Sequence, residues 1–79
     1  MNRLKELRKA NGLTQLQVQI KAGIEQAEYS RMEAGKRMPT LEQAIALAII
    51  FHTNIDYIVG LTDISEPYPT GKKEFPYPL

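Results

Sequence analysis

Within the stretch "GIEQAEYSRMEAGKR", residues 23–37, three side chains carry the chemistry of recognition rather than of catalysis. Gln26 presents a donor and an acceptor side by side, Arg31 a planar fork of donors, and Ala27 a single methyl group. Base edges in the major groove of a duplex offer the matching partners. Gln26 fits adenine N6 and N7, Arg31 fits guanine O6 and N7, and the Ala27 methyl fits that of thymine. At helical spacing Ala27, Ser30, Arg31 and Ala34 share one side, while Tyr29, Met32 and Glu33 share the other. Polar residues on a helix are ordinarily just solvated, so the surrounding elements decide between the two readings.

Catalysis has little to work with. The chain has one histidine, His52, no cysteine, and neither a paired-carboxylate nor a phosphate-loop motif, so an enzyme is not expected. Without cysteine there is no disulfide framework and no thiolate metal site. No metal, cofactor or small-molecule ligand is implied. No apolar run is long enough for a membrane span, and the N-terminal "MNRLKELRKANG" lacks a secretory apolar region, so a cytoplasmic location is expected. With 79 residues, 43% hydrophobic and 24% charged, there is room for one soluble domain. A core this small is marginal, and dimerisation would help it.

The net charge of +1 conceals a polarity. Residues 1–37 hold eight Lys/Arg against four Glu, whereas residues 38–66 hold four acids and no Lys or Arg. One half is therefore basic enough to face a polyanion. An uneven but merely soluble surface is the plainer explanation, and charge alone does not separate them.

The elements that must hold the recognition face are legible from spacing and stop signals. "NRLKELRKANG" puts Leu4, Leu7 and Arg8 on one side and stops at Asn11-Gly12. Thr14 is placed to cap "QLQVQIKA", which ends at Gly23. A third helix is expected over residues 25–34, closed by Gly35. Thr40 caps "LEQAIALAIIFH", with Gln43 as a capping-box partner, and Asn54 caps "IDYIVG" with Asp56 near the positive end of the dipole. No segment alternates with period two, so the expected fold is an all-α, compact five-helix bundle over residues 1–65. Residues 66–79, "EPYPTGKKEFPYPL", hold four of the five prolines and read as an extended Pro-rich C-terminal arm. Either the arm is a loose terminus, or Tyr68, Phe75, Tyr77 and Leu79 dock it on its own domain or on a partner subunit.

The second and third segments are joined through Gly23-Ile24 alone, and so short a link forces a steep crossing that displays the later helix outward. With "LRKANGLTQ" at 7–15, "KAGI" at 21–24, "YSRMEAGKRMPTLEQ" at 29–43 and "NIDYIVG" at 54–60, residues 4–60 resemble the lambda-repressor/Cro-type, or XRE-like, helix-turn-helix domains. The resemblance covers about three quarters of the chain, in order. It implies a lambda-repressor-like bundle that binds double-stranded DNA, commonly as a dimer, and regulates transcription.

Carried over residue by residue, the resemblance matches Gln26, Ala27 and Arg31 to base-reading positions, with Glu28 and Ser30 as flanking contacts. It makes Gln15 a phosphate contact that also braces the start of the recognition helix, beside the Thr14 cap, where free backbone N–H groups suit an anion. Lys36 and Arg37, directly after the helix, should meet the DNA backbone. For Arg3, Lys5 and Lys9 the alternative to such a contact is plain solvation. Arg8 and Glu33 match a family ion pair and are read as structural, because a charge on an apolar face needs a partner.

Several positions depart from the family pattern. Gln19 stands where a small alanine is usual, Glu25 where Ser or Thr caps, and His52 where glycine is common, as a C-terminal turn residue. Ala46, Ile49 and Tyr57 replace charged, solvent-facing residues, and Ile20 replaces a polar one. With Ile55, Val59 and Leu61, the first three would form an apolar homodimer surface that spaces two recognition helices about one DNA turn, ~34 Å, apart; the alternative is that half of these residues are core. The leading expectation is a Cro-like or phage-type repressor without a second sensing domain. A protein-interaction adaptor or antitoxin-type module with secondary DNA binding is the alternative, and the Pro-rich arm sustains it.

Overall fold

The computed structural model describes residues 3–69, and among these there are five helices and no strand. They are α1 (Leu4–Ala10), α2 (Gln15–Ala22), α3 (Gln26–Glu33), α4 (Leu41–Ile50) and α5 (Ile55–Ile58). None of them is long and apolar enough to cross a membrane.

Local chemistry sets the starts. Thr14 accepts the Gln17 N–H at 3.1 Å while the Gln17 side chain accepts the Thr14 N–H at 2.9 Å, a reciprocal capping box on α2. Thr40 and Gln43 repeat the device on α4. Asn54 Oδ1 accepts the Tyr57 N–H at 2.8 Å and caps α5. Glu25, in place of the usual hydroxyl, caps α3 with its carboxylate, which accepts the Glu28 N–H at 3.2 Å. The helix therefore begins one residue later than expected and ends at Glu33, with Ala34 as its C-cap.

All five stops use the left-handed region: glycine supplies it after α1, α2, α3 and α5, at Gly12, Gly23, Gly35 and Gly60, and His52 after α4. Gly23 closes α2 with φ 68, and an added Cβ there would meet nothing within 4 Å, so glycine serves the backbone angle and not a close approach. At the end of α4 the equivalent residue is His52, with φ 54. The N–H groups of His52 and Thr53 return to the carbonyls of Ile49 and Ala48, which makes a Schellman closure with a histidine where glycine is usual.

The core is built from one or two large residues per helix: Leu4, Val18, Ile24, Tyr29, Met32, Leu47, Phe51 and Ile58 are all buried, joined by Ala48. Gln19 is buried as well, at 9% exposure, so the position where a small residue is usual carries a full amide side chain. Beyond α5 the chain folds back on its own domain. Thr53 Oγ1 donates to the Ser65 carbonyl at 2.6 Å, and Asn54 Nδ2 donates to the carbonyls of Ile64 and Glu66 at 2.9 and 2.6 Å. The Tyr68 hydroxyl accepts the Asp56 N–H at 3.4 Å. Of the apolar arm residues, Tyr68 thus docks in cis, half exposed, while Phe75, Tyr77 and Leu79 lie outside the described residues.

Arg3 is not simply solvated. Its guanidinium donates to the carbonyls of Tyr57 and Thr62 at 3.0 and 2.6 Å and pairs with Asp63, and its carbon lies 4.0 Å from the centre of the Tyr57 ring. One side chain ties the start of α1 to the segment after α5.

Candidate nucleic-acid interface

The face of α3 that holds Tyr29 and Met32 is fully buried, and this fixes the opposite face toward solvent. Gln26, Ala27 and Arg31 are all exposed there. The turn from α2 places them: Ile24, buried at 5% exposure, anchors the link, and Gly23 supplies the reversal.

Glu28 and Ser30 lie at the two edges of this face, both partly buried. The Ser30 hydroxyl donates to Gln15 Oε1 of α2 at 3.4 Å. Glu28 Oε2 accepts from Gln43 Nε2 of α4 at 3.2 Å and pairs with Arg37 Nη2 at 2.7 Å. Both expected flanking contacts are therefore engaged with the scaffold, one on each side, and α3 is held from behind and along both flanks. Gln43 is tied at both ends, since its Oε1 also closes the α4 capping box.

Gln15 is part of a second network. Its Nε2 donates to Glu33 Oε1 at 3.0 Å. Arg8 Nε donates to Glu33 Oε2 at 2.6 Å, Arg8 Nη2 to Glu33 Oε1 at 3.2 Å, and Arg8 Nη1 to the Leu13 carbonyl at 3.1 Å. The paired side chains are 12% and 5% exposed. A bidentate buried pair thus joins α1 to α3, and Gln15 adds α2. Burial opposes ionisation of Glu33, but the polar groups of Arg8, Tyr29 and Gln15 around it and the Arg8 charge together outweigh burial and hold the carboxyl below the usual range. The hydrogen bond to Glu33 raises Arg8 further. Burial, first of all, pushes the neighbouring Tyr29 hydroxyl up, and the Glu33 carboxylate beside it pushes it further.

Thr14, Lys36 and Arg37 are exposed on the loops that flank α2 and α3, with Arg37 held by Glu28. The six residues assigned to a homodimer surface divide. Ile49 and Leu61 are exposed, at 58% and 78%, and Ala46 is partly buried. Ile55 and Val59 pack against the core of their own domain, and the Tyr57 ring lies under Arg3. Leu16 and Ile20, on the outer side of α2, are exposed at 63% and 72%.

Sequence reasoning missed the Glu28–Gln43 tie, the Glu25 cap and the clamp made by Arg3. For the Thr14 box a signal existed in the T-x-x-Q spacing. The Glu25 cap is as local, three residues from the N–H it accepts, but is made by a residue type that rarely caps. The Glu28–Gln43 tie and the Arg3 clamp join residues far apart in sequence and leave no periodic trace.

The geometry agrees with comparison by sequence. Residues 4–58 match the model of a helix-turn-helix family. Over 75 residues the chain is 41% identical to the uncharacterized HTH-type transcriptional regulator YobD of Bacillus subtilis (strain 168), which covers 92% of this chain and 67% of that protein. No solved structure matches it. The chain belongs to the helix-turn-helix family of Cro/C1, or XRE, type, whose members are DNA-binding regulators and not enzymes.

Proposed function

We propose that this chain is a sequence-specific transcriptional regulator, a compact repressor of Cro or phage type, that inserts α3 into the major groove of its operator. The observation that carries the reading is the exposed row of Gln26, Ala27 and Arg31 on a helix braced on its other sides. Gln26 and Arg31 then pair with adenine and guanine edges, and Ala27 lies against a thymine methyl. Ser30 borders the contact. Gln15 and Thr14 at the start of α2, with Lys36 after α3 and Arg37 to the extent that Glu28 releases it, hold phosphates and set the register.

Two copies would pair through Ile49 and Leu61, with Ala46 and Tyr57 beside them, and present two α3 helices about one turn of DNA, ~34 Å, apart. Selection of bound duplexes from random DNA at defined salt tests both parts. The expected product is a palindromic site with half-sites one turn apart; binding without sequence preference would refute the reading. Arg31→Ala should then lose roughly 1–3 kcal/mol of discrimination at one position per half-site.

A further inference from the structure

Glu28 lies at the edge of the α3 recognition face, and its carboxylate is directed by two partners outside α3. Gln43 Nε2 holds Oε2 from the first turn of α4, and Arg37 Nη2 meets the same oxygen at 2.7 Å. The Gln43 amide cannot turn away without breaking its bond to the Thr40 N–H, so the carboxylate is presented to Arg37 by a fixed group. Glu28 is 24% exposed and Arg37 44%, which leaves the cation accessible but neutralised.

From this geometry we infer that Glu28 does not read a base; it is a positioning residue that restrains Arg37. The inference rests on the reading of α3 as the groove-entering helix and assigns Glu28 and Arg37 their parts in that contact. A phosphate that approaches the loop after α3 must compete with a carboxylate already bonded to the guanidinium. Lys36, exposed and in no ion pair among the described residues, needs no such exchange. Glu28 therefore sets how many phosphates the loop grips, and through that number it sets the salt dependence of binding.

Glu28→Gln tests this directly, because glutamine keeps an acceptor for Gln43 and removes only the charge that holds Arg37. Binding of the wild type and the variant is measured on a random-sequence duplex and on the selected duplex, across a salt series. Glu28→Gln should bind both duplexes several-fold more tightly, by the same factor, and the slope of log K against log salt should steepen by about 0.9, one phosphate. In an Arg37→Ala background the same substitution should change neither quantity. A gain that persists without Arg37 would mean direct repulsion between Glu28 and DNA and would overturn the restraint. So would a changed base preference at one position of the selected site, or an unchanged salt slope. A melting curve for each variant keeps loss of folding apart from loss of contact. Because the random duplex requires no operator, failure of wild type to select a sequence would remove the proposed function while the Glu28 measurement still decides its own question.

Discussion

Arg8, Glu33 and Gln15 show how a residue can matter to recognition without touching DNA. Glu33 is almost wholly buried and accepts three hydrogen bonds, two from Arg8 and one from Gln15. Glu33→Gln would leave the Arg8 charge without its counter-ion, at a cost of roughly 3–5 kcal/mol in urea unfolding at neutral pH. The pH dependence has a definite sign. Glu33 is held below the usual carboxylate range, so its stabilisation is complete above about pH 4.3, the unfolded value, and is lost as pH falls through the lower folded value. The gap between wild type and Glu33→Gln should therefore close in acid. A gap that stays constant with pH would mean that the pair contributes nothing through its charge. The identity of this pair was carried by resemblance, whereas its link to Gln15 and Ser30 emerged only from coordinates. Side-chain reach across three helices has no signature in spacing.

At the level of the element, what could be read in advance was what depends on near neighbours. Thr14, Thr40 and Asn54 cap where their types and positions say they should, because capping is settled within four residues. The boundaries of α3 shifted by a residue since Glu25, charged but short enough to fold back, takes the cap itself. Gly23 and His52 form a matched pair for testing the helix stops. Both hold left-handed backbone angles, and only one is a glycine. Gly23→Ala should cost about 1 kcal/mol, since the new methyl has room but the backbone is strained. His52→Gly should gain roughly 0.5–1 kcal/mol, the relieved strain less the greater freedom of glycine in the unfolded chain. Thermal or urea unfolding reads both, and equal signs for the two substitutions would contradict the account.

For the whole molecule, the domain extends past its last helix. The family match ends at residue 58, yet Arg3, Thr53 and Asn54 bond to carbonyls as far as Glu66. Asn54 serves twice, with its oxygen capping α5 and its nitrogen pinning the returning chain. Asn54→Asp keeps the cap and removes both donations, and it sets a carboxylate against two carbonyl oxygens. Unfolding at neutral pH should show a loss of about 2 kcal/mol or more, by the cost of unmet buried polar groups. Asp63→Asn should leave stability unchanged, because Asp63 is 97% exposed and its pair with Arg3 is screened. Full stability in Asn54→Asp would mean that the returning segment is only an attached tail. The sequence shows a break in composition at Glu66, but not that the chain before it is strapped down. The central claim is that the outward face of α3 meets base edges in the major groove, and methylation interference on the selected duplex tests it most directly. Methylation of a guanine N7 in each half-site should block the wild type and leave Arg31→Ala, already without that contact, no further impaired. Interference confined to adenine N3, in the minor groove, would contradict the account.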